Sequence, residues 1–221
     1  MKQKILVICS HPDDEILGCG GAIHRHISEG DIVKVIYTHE GSSSRFDINS
    51  NSQIIQKKIK SAINQREIMA HKVSKMLKFD IIKFYRNQNL VNKNFELLTL
   101  VKALLRDINN FKPQVIYTHH EFDLNEDHRY TFKATVNACR PNKTHMVKEI
   151  YSFETPSATE WADTFYRNKF RPNYDDATFS GGNSIRDAFN GVVSLRSWRP
   201  SWWWGDGIGR EKFSPRNTKK Q

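Results

Sequence analysis

The run Ile5-Leu6-Val7-Ile8-Cys9-Ser10-His11-Pro12-Asp13-Asp14-Glu15 places an imidazole and three carboxylates directly behind five apolar residues. A second apolar stretch, Val115-Ile116-Tyr117-Thr118, runs into His119, His120, Asp123, Asn125, Glu126, Asp127 and His128. Imidazole and carboxylate are the donors that zinc takes in hydrolytic sites, where three protein ligands leave one position for water. His11, Asp14 and His128 supply such a set. Asp13, beside a ligand in the same loop, is placed to reach the attacking water and act as general base. Its acid form can then protonate a leaving amine, so the chemistry these residues suit is amide hydrolysis. Zn2+ is the expected ion, although Fe2+, Co2+ or Mn2+ can occupy a similar His/Asp set. The competing reading is local: Asp13 or Asp14 caps the helix that begins at Glu15, where an aspartate suits the free N–H groups and the helix dipole.

Both clusters follow apolar runs of strand length, and the chain alternates strand and helix around them. Periodicity predicts strands over 4–10, 31–38, 80–85, 113–118 and 147–153, and helices over 14–29, 51–77, 93–110 and 127–139. This is the pattern of an α/β, Rossmann-like fold, a mostly parallel sheet with helices on both faces. Gly30-Asp31 and Lys112-Pro113 end two of the helices. In a 3-2-1-4 strand order the strands ending at His11 and before His128 are neighbours at the switch point, so the two polar clusters meet. Gly18-Cys19-Gly20-Gly21 matches no phosphate-loop spacing, and close helix–sheet packing is its expected role. The Ser-, Asn- and Gly-rich loop 39–54 is placed to cover the pocket.

Composition sets the outer bounds. The 221 residues, 38% hydrophobic and 26% charged, suit one globular domain, and no apolar run is long enough to span a bilayer. The amino terminus lacks a signal-peptide core, so the expected location is cytoplasmic. Cys9, Cys19 and Cys139 form no CxxC spacing and read as reduced, buried thiols. The net charge of +10 is shared equally between residues 1–160 and 161–221 and accompanies no nucleic-acid motif, so no nucleic-acid partner is expected. The lysines around the helix over 51–77 read as a solvated face or as a surface for anionic partners.

Ser10-His11-Pro12-Asp13-Asp14-Glu15 resembles the [A/S]HPDDE signature of the LmbE-like (PIG-L) zinc-dependent N-deacetylases. Pro113 to His120, Asp123-Leu124-Asn125-Glu126-Asp127-His128-Arg129 and Ala138-Cys139-Arg140-Pro141 resemble the family's second motif and its continuation. The resemblance covers about residues 4–174. It implies zinc on His11, Asp14 and His128, with Asp13 as catalytic base and an acetamido sugar or glycoconjugate as substrate.

Where some members carry a histidine for oxyanion or proton-transfer work, this chain has Asn125, which can donate a hydrogen bond but cannot shuttle a proton. Asn125 and Asp127 are accordingly the further catalytic candidates, with Asp127 orienting a neighbour. Arg66 stands where the family has a sugar-contacting arginine. Asn87, in Arg86-Asn87-Gln88-Asn89, lies where an aspartate would grip sugar hydroxyls, and it is the second substrate-binding candidate. Residues 175–221 form a divergent carboxy-terminal segment packed on, or part of, the same domain, with a Trp-rich stretch at 198–204 and a frayed tail. A homo-oligomer is compatible with this stretch. Two rival readings fit the same residues: an amidase acting on another acyl conjugate, and a carbohydrate- or polyanion-binding protein that has lost catalysis.

Overall fold

The computed structural model describes residues 2–46, 52–87, 97–140, 144–155 and 196–197. Nine elements carry the α/β pattern in order: β1 (Lys4–Cys9), α1 (Asp14–Ser28), β2 (Ile32–His39), α2 (Gln53–Leu77), β3 (Asp80–Asn87), α3 (Leu97–Phe111), β4 (Val115–His119), α4 (Glu126–Ala138) and β5 (Glu149–Phe153). A 3-10 turn, Ser43–Arg45, follows β2, and a short strand β6 (Arg196–Ser197) pairs antiparallel with β5. The sheet runs β3-β2-β1-β4-β5-β6, with the first five strands parallel. The expected 3-2-1-4 order is therefore present, and β1 and β4 adjoin where the order reverses.

Alternation along β1 shows how the sheet is covered. Successive side chains point to opposite faces. Ile5, Val7 and Cys9 pack with Cys19 and Ile23 of α1 and Ala70 of α2. Leu6 and Ile8 pack with Leu100, Leu104 and Ile108 of α3 and Ala134 and Ala138 of α4. All five apolar residues of β1 are fully buried, as expected for a central parallel strand with helices on both faces. Cys9, Cys19 and Cys139 are buried free thiols.

Element ends follow local signals. Asp31 follows Gly30 (φ +87°) after α1, and Lys112 takes a left-handed conformation (φ 57°) just before Pro113. β2 extends one residue past its expected end, to His39. The expected start of α3 at 93, the domain boundary at 174/175, residues 47–51 of the covering loop, the tail and the Trp stretch all lie outside the described residues.

The glycine run in α1 has a packing role at one position in particular. A Cβ built on Gly18 would lie 2.1 Å from Cδ2 of the fully buried Phe153 of β5, and α1 bends at the next residue, Cys19 (φ −143°, ψ 23°). Alanine would gain about 1 kcal/mol of helix propensity there, whereas overpacking a core typically costs about 1–3 kcal/mol and occasionally more. Gly18→Ala should therefore be net destabilising, read as a lowered urea midpoint at unchanged slope. An unchanged or raised midpoint would show that the helix can move off β5 at no cost.

Candidate metal centre and its surroundings

The loop after β1 turns sharply at Asp13, whose φ of 111° and ψ of −29° are unusual for a residue with a side chain. Its N–H donates to Glu15 Oε2 at 3.0 Å, and its carbonyl accepts from the N–H groups of Ile16 and Leu17, both at 3.0 Å. The Asp13 side chain makes no cap hydrogen bond, and Asp14 Oδ2 instead accepts from the His11 N–H at 2.8 Å. Neither aspartate side chain serves as the helix cap, so both carboxylates are available to the site.

β1 and β4 bring His11, Asp14 and His128 together, all buried. Asp14 Oδ2 lies 3.4 Å from His11 Nδ1 and 3.3 Å from His128 Nε2, and those two nitrogens are 3.4 Å apart. Three donors bonded to one zinc ion at about 2.0–2.1 Å in tetrahedral geometry sit about 3.3–3.4 Å from one another. The triangle thus has the size that a single ion of this class requires, and its donor set of two imidazoles and one carboxylate has the matching chemistry.

Each imidazole is backed by a carboxylate on its other nitrogen. His11 Nε2 pairs with Asp127 Oδ2 at 3.0 Å, and His128 Nδ1 pairs with Asp123 Oδ2 at 2.9 Å. Such partners set which ring nitrogen faces a metal and raise its basicity. A hydroxyl chain fixes the supports in turn: Ser10 Oγ donates to the Asp127 carbonyl at 2.9 Å and meets Thr131 Oγ1 at 2.8 Å, and Thr131 meets Thr38 Oγ1 at 2.6 Å. This chain joins the ends of β1 and β2 to α4. His119 stacks on His128 at 3.9 Å between ring centroids, and its Nε2 accepts the Ser10 N–H at 2.9 Å.

Charge is divided unevenly among these groups. Burial alone would lower His128, but Asp14 and Asp123 outweigh it and push its pKa up to about 10. Burial is likewise overcome at His11, where hydrogen bonds to Asp127 and Asp14 raise the value. Burial would raise Asp14, yet the facing imidazoles of His128 and His11 hold it well below the usual carboxylate range. His119 and His39 are instead pushed down to about 4 by burial, so they stay neutral near pH 7. Burial pushes Glu15 up to about 7.

Asp13 faces outward at the mouth. Its half-covered position and the neighbouring Asp14 charge raise its pKa against the opposing pull of Arg66, which donates from Nη2 to Asp13 Oδ2 at 2.7 Å. A Cβ on Gly41 (φ +65°) would lie 2.5 Å from His11 Cδ2 and 2.6 Å from Arg66 Nη1, so only glycine lets the loop after β2 pass this close. Beyond Asp13 and Arg66 opens a cleft of about 730 Å³ with a largely apolar wall that includes Ile16, Phe46 and Val73.

Of the remaining candidates, Asn125 is the N-cap of α4: its Oδ1 accepts the Asp127 N–H at 2.9 Å, which leaves its amide N–H groups as the available donors. Asp127 touches the ligand triangle through His11. The backbone of Asn87 pairs with His39 at the end of β3, and its side chain lies outside the described residues. The roles of Asp123, Glu15 and Gly41 were not apparent from the sequence. An aspartate five residues before a candidate ligand is the one signal that could have revealed Asp123.

Comparison with known proteins adds three findings. The sequence profile of the family described as PIG-L, GlcNAc-PI de-N-acetylase, matches residues 6–139, more than half of the chain. A protein of Escherichia coli (strain K12) described as the uncharacterized deacetylase YaiS is 26% identical over 161 residues, 71% of this chain and 76% of its own. Among solved structures, GalB, the 4-carboxy-2-hydroxymuconate hydratase of Pseudomonas putida KT2440, is similar with a TM-score of 0.59 and 18% identity over 95% of this chain and 100% of its own. The N,N'-diacetylchitobiose deacetylase of Pyrococcus horikoshii is similar with a TM-score of 0.55 and 16% identity over 68% of this chain, which spans only 60% of that protein's length. At these identities the structural likeness concerns the fold.

A consequence of the charge distribution is measurable. With His11 and His128 holding protons above their usual range, uptake of a metal ion by the triangle must displace about one to two of them. Zinc affinity should therefore rise with pH, about tenfold per unit for each proton displaced, and calorimetry in buffers of different ionisation enthalpy should register the release. Asp123→Asn should weaken zinc binding about 10–100-fold. Proton-neutral binding, or binding indifferent to Asp123, would place the metal elsewhere.

Proposed function

The chain belongs to the PIG-L (GlcNAc-PI de-N-acetylase) family of deacetylases, and from that premise we propose that it is a metal-dependent N-deacetylase acting on an acetamido sugar or sugar conjugate. The observation that carries the proposal is the ligand triangle of His11, Asp14 and His128 with an outward carboxylate, Asp13, at its mouth. The relative named as a deacetylase of N,N'-diacetylchitobiose supports the sugar class.

In this reading His11 Nδ1, Asp14 Oδ2 and His128 Nε2 hold a zinc ion. Zinc in such a site lowers the pKa of water toward about 7 and polarises a carbonyl oxygen. Asp13 removes a proton from water as its oxygen bonds to the acetyl carbon, and Arg66 keeps the Asp13 carboxylate aimed through Oδ2. The Asn125 amide, with Oδ1 committed to the cap, offers an N–H to the developing oxyanion. When the carbon–nitrogen bond breaks, Asp13 returns its proton to the departing nitrogen, giving the amine and acetic acid, which then loses its proton to solvent to leave as acetate. Asp127 is a positioning residue that holds His11. Arg66 also borders the cleft and is the candidate contact for the sugar, and the cleft accepts the rest of the conjugate.

The experiment is acetate release from a panel of acetamido sugars and conjugates by zinc-loaded protein. Asp13→Ala should keep its zinc and lose turnover by about 10²–10⁴-fold, the range of a general acid–base contribution. Full activity in Asp13→Ala would overturn the mechanism. Zinc-loaded protein that releases other acyl groups but no acetate would move the function to a different amidase.

A further inference from the structure

Helix α2 forms one wall of the cleft, through Ala62, Gln65, Arg66 and Val73, and the opposite wall includes Asp13 and Ile16. Whether the Arg66 guanidinium reaches Asp13 therefore depends on how α2 is rotated about its own axis. Apolar packing fixes that rotation weakly. The buried residues of α2 are Ala70 and Ser74, with Val73 and Leu77 partly buried beside them, and all four lie on the carboxyl-terminal side of Arg66. Helices register by fitting side-chain ridges into grooves, and side chains as short as Ala and Ser make shallow ridges.

A polar clasp stands where this packing ends. Glu67, Ala70, His71 and Ser74 follow i, i+3, i+4, i+7 spacing and so share one face of α2. That face meets β3. The His71 ring lies edge-on to Phe84 at 5.4 Å between centroids, and Arg86 grips both oxygens of Glu67, through Nε at 2.5 Å and Nη2 at 2.7 Å. Glu67 is the one acidic residue of α2, and its side chain is only 14% exposed, which withdraws the pair from water. Surface ion pairs contribute little as a rule, but a two-pronged arginine–carboxylate pair adds geometric definition. The backbone of Arg86 is itself left-handed (φ 53°), close to where the pairing of β3 with β2 shifts register between Tyr37 and His39. A residue with a side chain keeps such a conformation where its surroundings hold it, and Glu67 supplies part of that hold.

We propose that the Glu67–Arg86 clasp is a positioning device that sets the rotation of α2 and thereby holds Arg66 over Asp13. Neither residue belongs to the ligand triangle or lines the cleft. Successive residues of a helix stand about 100° apart, so pinning Glu67 to the end of β3 leaves Arg66 on the cleft side, where Nη2 donates to Asp13 Oδ2 at 2.7 Å. Glu67 does not act on Arg66 directly, because sequence neighbours on a helix do not face each other. Its influence runs through the backbone of α2. Resting on the deacetylase reading above, this makes Glu67 and Arg86 positioning residues for the group that moves the proton.

The test takes two separate readings on the zinc-loaded full chain. In nitrogen-15 NMR of the arginine side chains, the Arg66 guanidinium is assigned by its disappearance in Arg66→Lys. It should show the slowed rotation of an ion-paired group in the parent and in the swapped pair E67R/R86E, and rotate freely in Glu67→Gln and in Arg86→Gln. Acetate release should fall about 10–100-fold in kcat in either single variant, the scale of a small misplacement of a catalytic group, and recover in the swapped pair. Combined with Arg66→Gln, neither variant should lower kcat beyond Arg66→Gln alone, and zinc affinity should match the parent's throughout. An Arg66 that rotates freely in the parent, or is unchanged by Glu67→Gln, would overturn the proposal. Losses that multiply with that of Arg66→Gln, or a loss of zinc uptake in Glu67→Gln, would overturn it in favour of a general role in folding. If the parent releases no acetate from any acetamido sugar, the deacetylase reading fails, and the NMR reading alone decides whether the clasp holds Arg66.

Discussion

Everything at the carboxyl edge of this sheet is organised around one buried carboxylate, that of Asp14. Three imidazoles, from His11, His119 and His128, face it within 3.4 Å, and the His11 N–H donates to the same oxygen. A lone buried carboxylate would be neutralised or expelled. This one stays ionised because the positive charge held on His11 and His128 compensates it, and that charge is in turn held by Asp127 and Asp123. The result is a small lattice of alternating signs whose members come from two neighbouring strand ends. Removing any one member leaves another buried without its counter-charge, so the cluster forms as a unit with the β1–β4 pairing.

Much of this was legible in the residues. The strands could be read because Ile5 to Cys9 and Val115 to Thr118 are apolar on both faces, which suits only a covered parallel sheet, and the switch point followed from the connection pattern. His11, Asp14 and His128 could be read because their donor chemistry recurs at two strand ends. The role of Asn125 was harder, since its residue type fits both a helix cap and an oxyanion donor, and only the hydrogen bond from the Asp127 N–H shows that its Oδ1 is committed to the cap. Arg66 was expected to meet a sugar, and its salt bridge to Asp13 depends on how α2 lies over α1, which no local pattern encodes. Gly41 is silent in sequence because nothing in a Ser- and Gly-rich loop says which glycine passes over a histidine.

The similarity to both a hydratase and a deacetylase shows how little the architecture alone decides. A strand order and a switch point choose where a ligand sits. Which bond is broken depends on the few groups pointing into that place. In this chain those groups are two imidazoles and a carboxylate at ligand spacing and one outward carboxylate under a guanidinium.

The backbone at Asp13 carries a further consequence. A non-glycine residue held in such a sparsely populated conformation costs about 1–3 kcal/mol, and Glu15 and the first turn of α1 sustain it through three hydrogen bonds. Glycine would relax that turn at once. A selection of random variants for heat resistance alone would thus be drawn toward the very position whose side chain is proposed to move the proton. On the proposed role of Asp13, thermal robustness and turnover would pull against each other at a single residue, so an evolutionary or engineering search would have to score both traits together.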